Sequence, residues 1–241
     1  MEDPFPAQKF LNGTRLLIDK PINWTSFDVV NKIRFVIKHR LGIRKIKVGH
    51  AGTLDPMATG LLVVCTGKFT KKLSEYQGLG KEYTGIITLG ATTPSYDKET
   101  EPDATFPFDH ITPEQIEQAR QQFLGKLDQL PPMYSAIKVD GQPLYKKARK
   151  GEVVEVKARP VVIDAFEITN ISLPHIEFRV QCSKGTYIRS LAHDFGKALN
   201  NGAHLTELRR TKIGQFRIED AWSLEALVEH IEGLAPAAKT F

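Results

Sequence analysis

The sequence predicts an α+β domain built around one mixed sheet, and three observations carry that reading. Strand-like segments occur as an unbroken apolar run at residues 61–65 or as alternating ones at 83–89 and 176–182. Amphipathic helices with recognisable start signals fall between them at irregular intervals. There is no internal repeat and no regular βαβ period, so the helices interrupt the strands instead of alternating with them.

Taken in order, RLLID (residues 15–19) is a short strand closed by Lys20-Pro21. Thr25 and Asp28 make a capping box for a helix with Phe27, Val30, Ile33 and Ile37 on one face and Lys32, Arg34 and Lys38 largely off it. A glycine-rich turn over 49–60 leads into Leu61-Leu62-Val63-Val64-Cys65, which reads as a buried strand. Residues 94–107 are acidic and poor in large aliphatics, and predict an exposed loop. Thr112 caps a second helix with Pro113 at its first position; Ile116, Ala119 and Phe123 face inward, and Gly125 ends it. After a polar segment, β-rich sequence runs from Val153 to Cys182. Ile188, Leu191, Ala192, Phe195 and Leu199 mark a third helix. A last one follows Ser223, carries Leu224, Leu227, Val228 and Ile231, and stops at Gly233.

Bulk properties narrow the class. A chain of 241 residues, 41% hydrophobic and 25% charged, is an ordinary globular protein with room for a substantial core. Cys65 and Cys182 sit in apolar segments without a CxxC or Cys/His cluster, as reduced core residues do. No apolar run approaches membrane-spanning length, and residues 1–4 are acidic and polar, unlike a signal peptide. The expectation is a cytoplasmic protein. The net charge of +5 is modest, but its distribution is uneven. Cations gather at Lys32, Arg34, Lys38, Arg40, Arg44, Lys45 and Lys47, at Lys146, Lys147, Arg149 and Lys150, and at Arg209, Arg210 and Lys212. Any one cluster is ordinarily a solvated face; three of one sign suggest a polyanion footprint.

The richest stretch is GHAGTLDPMATGLL, residues 49–62. It fixes one carboxylate, Asp55, in a turn stiffened by Pro56 and permitted by Gly49, Gly52 and Gly60. Local physics alone leaves two readings open: a turn acceptor for backbone N–H groups, or a catalytic acid. Other chemistries fail on their motifs. Six residues separate Gly60 from Gly67, where a phosphate loop needs four, and Phe69 stands in place of the hydroxyl residue. HExxH and GxSxG are absent, and His175, His193, His204 and His230 lack ligand spacing. The expected chemistry needs no cofactor and no metal.

Four segments then point together. HAGTLDPMATG (residues 50–60) resembles the catalytic motif of the TruB family of tRNA pseudouridine synthases. Lys81-Glu82-Tyr83 with Leu89-Gly90 is similar to that family's second motif, and SKGTYIRSL (residues 183–191) to the one carrying its arginine. Residues 129–151 (QLPPMYSAIKVDGQPLYKKARKG) resemble a long segment distinctive of the family. The resemblance implies a single catalytic domain over 1–214 with a largely antiparallel mixed sheet flanked by helices and loops. It leaves a short extension, 215–241, with one helix and too little chain for the complete RNA-binding PUA module of many members.

The same resemblance implies isomerisation of uridine to pseudouridine at position 55 in the T-loop of tRNA, with the base flipped out of its stack. Asp55 would be the nucleophile, Arg189 its ion-pair partner and Tyr83 the ring that stacks on uracil and assists proton transfer. The family pattern also marks His50, Tyr187, Lys20 and Leu205 as substrate-binding. Their plainer alternatives are a structural turn histidine, a core tyrosine, a solvated lysine and a core leucine. Lys146, Lys147, Arg149, Lys150, Arg209 and Arg210 are the candidate contacts to the RNA backbone, and 131–151 a candidate flap that orders on RNA. The implied partner is the T-arm of tRNA, bound by a monomer with no obligate protein partner and no membrane. The competing readings are a synthase for another RNA, such as ribosomal RNA, and a tRNA-binding or folding module without catalysis.

Overall fold

A computed structural model describes residues 7–234 except 140 and 153. The stretch 1–4, Val153 and the end of the C-terminal extension lie outside the described residues. The chain forms two compact units, one from Met1–Lys81 with Arg209–Phe241 and the other from Glu82–Leu208. In chain order, the first unit opens with α1 (Ala7–Asn12), β1 (Arg15–Lys20), α2 (Ser26–Arg40), β2 (Val48–Ala51), β3 (Thr59–Thr66) and α3 (Leu73–Gly78). The second begins in β4 (Lys81–Leu89) and continues through β5 (Ala91–Thr92), β6 (Ala104–Thr105), α4 (Pro113–Gln121), β7 (Gly125–Gln129), β8 (Lys138–Val139) and β9 (Gln142–Pro143). It is completed by α5 (Leu144–Ala148), β10 (Arg159–Ser172), β11 (His175–Cys182), α6 (Ile188–Ala198) and most of β12 (Ala203–Ile213). The end of β12 returns the chain to the first unit, where β13 (Phe216–Arg217), β14 (Trp222–Ser223) and α7 (Leu224–Gly233) follow.

The expected mixed sheet flanked by helices is present. In the first unit β1 pairs antiparallel with β3 from Arg15↔Cys65 to Lys20↔Gly60, and parallel with β14. The end of β12 adds to β3 in parallel, Arg209 opposite Thr59 and Arg210 opposite Gly60. β3 is the central strand, and its unbroken apolar run follows from burial on both faces. Leu62 and Val64 join Leu16, Ile18 and the buried side of α2 (Val29, Val30, Ile33, Val36, Ile37), while Leu61, Val63 and Cys65 pack with Ala51, Tyr76 and Ile213. Leu224, Leu227 and Ile231 of α7 belong to the α2 cluster, so the segment after 214 is part of this core. In the second unit β4, β11, β10 and β7 follow one another from the first half of β12. β11 alternates, burying Ile176, Phe178, Val180 and Cys182, and Phe166 meets Phe178 and Phe195 edge-on.

The caps are where local sequence dictated them. Thr25 and Asp28 form the reciprocal box at the start of α2, Thr112 and Gln115 do so at α4, and the Ser223 hydroxyl accepts from Ala226 N–H at α7. Three expectations need correction. Phe27 is not on the inward face of α2 but 60% exposed; Val29 and Val36 take its place, because the buried stripe runs through 29, 30, 33, 36 and 37. α4 stops at Gln121, and Gly125 opens β7 in a left-handed conformation (φ +85°) instead of ending the helix. The acidic loop is not exposed throughout: Ser95 and Asp97 are buried, and Ala104–Thr105 pairs with Ala91–Thr92.

Candidate active site

The Asp55 loop joins β2 to β3, and nearly every turn of it is tied down from within the first unit. Ser26, in the first turn of α2, holds Leu54 from both sides: its hydroxyl accepts from Leu54 N–H at 2.9 Å and donates to Leu54 C=O at 3.2 Å. Asn23 N–H donates to Pro56 C=O at 2.8 Å, and Ala58 N–H closes a turn onto Asp55 C=O at 3.1 Å. On the other side Arg210 donates through Nε to Leu61 C=O at 2.7 Å and through Nη2 to Gly52 C=O at 3.0 Å. Gly60 has φ +102°, and a Cβ there would lie 2.3 Å from the Arg210 carbonyl oxygen. Only glycine lets β12 cross that closely. Asp55 itself is half-buried, on a loop braced on both flanks.

The electrostatics around the loop are dense. Lys20 has no exposed surface, and its ammonium donates to the carbonyls of Pro21 (2.8 Å), Trp24 (2.6 Å) and Pro56 (3.4 Å). Burial lowers its pKa to about 8, while the nearby Asp55 charge pulls it back up and Arg210 pushes it further down. The solvated-lysine reading is thereby excluded. His50 is held below the ordinary imidazole range by burial and then by the Arg210 charge, so it is neutral at pH 7. Its Nδ1 is buried and has no hydrogen-bond partner among the described residues.

The second unit holds the other expected residues. Arg189, in the first turn of α6, is buried; it donates through Nη1 to Ser95 C=O at 3.2 Å and through Nη2 to Tyr134 C=O at 2.8 Å, and lies 3.5 Å from the Asp97 carboxylate. Asp97 is 5% exposed and forms a parallel bridge with Leu205, whose N–H donates to Tyr96 C=O. Tyr187 starts α6 with its peptide clamped by the Gln129 side chain, which accepts from Tyr187 N–H (2.8 Å) and donates to Tyr187 C=O (3.1 Å). Tyr83 is buried in β4, and Leu205 is buried in β12. Lys20, His50, Asp55 and Arg210 therefore cluster in one unit, and Arg189, Tyr187, Tyr83 and Leu205 belong to the other.

The proposed backbone contacts divide. Lys146, Arg149 and Lys150 are exposed on and beside α5, with Lys147 half-buried, though Arg149 pairs with Glu99 at 2.7 Å. Arg209 is half-exposed and pairs with Asp19 at 2.6 Å. Arg210 does not fit an RNA-backbone role: it is 1% exposed, and its guanidinium serves the inward-turned carbonyls of Gly52 and Leu61. Sequence reasoning missed Ser26, Asn23, Ser95, Asp97 and Gln129. Ser26 carried a signal, since it follows the cap residue; the others meet the expected site residues only through contacts distant in sequence.

Comparison with known proteins fixes the family. Residues 38–188 match the model for the TruB family pseudouridylate synthase N-terminal domain, and 189–235 match the tRNA pseudouridylate synthase B C-terminal domain. The chain belongs to the TruB family. It is 57% identical over 226 residues to tRNA pseudouridine synthase B of Flavobacterium johnsoniae, covering 93% of this chain and 99% of that one. The Phocaeicola vulgatus protein of the same name is 56% identical over 223 residues, covering 92% and 95%. Among solved structures, a chain of a Cbf5-Nop10-Gar1 complex matches with TM-score 0.70 and 30% identity. That match covers 95% of this TruB-family chain, which spans 60% of the length of the other. This chain is thus an isomerase of the pseudouridine-synthase class.

Proposed function

We propose that this enzyme converts uridine to pseudouridine in tRNA, at position 55 of the T-loop, with Asp55 as nucleophile. The observation that carries the reading is the braced Asp55 loop in a chain whose full-length relatives are named tRNA pseudouridine synthase B. The reaction breaks the N1–C1′ bond, turns the uracil and joins C5 to C1′; the C5 proton is lost and N1 gains one, so the product is an isomer. A carboxylate that bonds covalently to the nucleoside splits this into easier steps, whether it attacks ribose C1′ or uracil C6. A stacked base must first leave its stack, at a cost of a few kcal/mol.

In this reading Arg189 balances the charge of Asp55. Tyr83 supplies the stacking ring and assists removal of the C5 proton. His50, held below the ordinary imidazole range by burial, steadies the Asp55 loop against the extruded base; Tyr187 and Leu205 wall the base. Residues 131–151, with Lys146, Lys147, Arg149 and Lys150, act as the RNA-ordered flap. The enzyme works on tRNA as a cytoplasmic monomer. Two buried, unbridged cysteines support a reducing compartment, and no described helix is long and apolar enough to cross a membrane.

The test is to incubate the protein and its Asp55→Asn variant with an unmodified tRNA transcript and map pseudouridine chemically. Wild type should modify the T-loop, and the variant should be slower by about a thousandfold or more. Equal product from both would remove Asp55 as the nucleophile. Turnover on ribosomal RNA alone would reassign the substrate, and tight tRNA binding without turnover on any RNA would leave a binding module.

A further inference from the structure

We propose that the solvent face of α2 and the groove beside α7 form a second RNA-binding surface, which grips the substrate beyond the nucleotide being modified. The inference rests on the tRNA substrate proposed above. Three observations carry it. Phe27 and Phe35 are 60% and 57% exposed on α2, and Phe35 stacks obliquely on His39 with ring centroids 4.1 Å apart. A groove of about 500 Å³ opens beside them, lined by Phe35, Val36, His39, Arg40 and Glu232. Lys32, Lys38, Arg40, Arg44, Lys45 and Lys47 are all exposed, and none forms an ion pair with an acid among the described residues.

The helix dipole accounts for part of this. Cations in the last turn, here Lys38, His39 and Arg40, complement a helix C-terminus. It does not account for Lys32, for the three cations after the helix, or for two large aromatic side chains left in water. Unpaired cations interleaved with exposed rings are what a flexible polyanion with stackable bases requires. The groove fits a splayed base: the Phe35 and His39 rings and the Arg40 guanidinium offer stacking planes, and the Glu232 carboxylate accepts from an amino edge.

Placement adds to the argument. The first turn of α2 is bonded to the catalytic loop through Ser26 and Leu54. At a rise of about 1.5 Å per residue, Phe35 lies about 14 Å and Arg40 about 21 Å further along the helix. That is too far for the reacting nucleotide and within reach of the same RNA several nucleotides away.

Two variants test the surface by tRNA affinity across a salt series, with melting temperature checking the fold. Phe35→Ala with Arg40→Ala should weaken binding of full-length tRNA about tenfold or more, through lost stacking. Lys38→Ala, Arg44→Ala and Lys45→Ala together should lower the slope of log affinity against log salt by about two. Folded variants with wild-type affinity and slope would overturn the proposal, as would variants that lose affinity only for anionic lipid vesicles or for a protein. If the variants lose tRNA affinity but the wild type modifies no RNA, the surface stands and the proposed function falls.

Discussion

Lys20 is an ammonium with no exposed surface, beside the carboxylate proposed to do the chemistry. A buried cation is costly, and the protein offsets the cost with three carbonyl acceptors and the charge of Asp55. Its pKa falls from 10.5 to about 8, so the folded chain releases this proton before the unfolded chain does. Between those two values the unfolded state binds more protons, and the Lys20 contribution to stability rises with pH; below about 8 the full penalty of the buried charge is present. Activity should move the opposite way, because losing the proton removes a positive charge from beside Asp55. The rate on tRNA should fall across an alkaline limb near pH 8, and Lys20→Met should be slower at pH 7 and lack that limb. An unchanged limb in Lys20→Met would assign it to another group. None of this was legible in the sequence, where Lys20 before Pro21 reads equally as solvated.

At the scale of elements, the Asp55 loop depends on β12, a strand far along the chain. The caps of α2, α4 and α7 and the strand β3 were readable because their causes are local: a hydroxyl before a helix, or an unbroken apolar run. β12 was not, since residues 203–213 carry Glu207, Arg209, Arg210 and Lys212 and bury positions of both parities. Asp97 and Arg210 were misplaced for one reason. A charged side chain reads as exposed until topology brings it a buried partner, here Arg189 for Asp97 and two carbonyls for Arg210. The planar guanidinium reaches Gly52 and Leu61 together, a fork that an ammonium cannot reproduce. Arg210→Lys keeps the charge and loses the fork, so it should cost about 1–3 kcal/mol of stability. It should also lower kcat about tenfold or more as the Asp55 loop loosens, with little effect on KM. A variant with wild-type kcat would show that the loop is held well enough from the Ser26 side.

At the scale of the whole molecule, the three basic clusters of the sequence are not equivalent. In the last, Arg210 is buried and Arg209 is paired with Asp19; in the middle one, Arg149 is paired with Glu99. A cation already matched by an acid displaces fewer counterions from RNA than an unmatched one. Affinity should therefore depend on salt through the exposed, unmatched residues and hardly at all through the buried one. Lys146→Glu with Lys150→Glu, on the exposed side of the candidate flap, should weaken tRNA binding and lower the slope of log affinity against log salt by about two. Arg210→Lys should leave that slope as it is, whatever it does to turnover. The salt series separates these outcomes cleanly, because loop damage changes rate while phosphate contacts change the slope. An unchanged slope in the double variant would show that the flap does not hold RNA phosphates and would place the electrostatic grip elsewhere on the molecule.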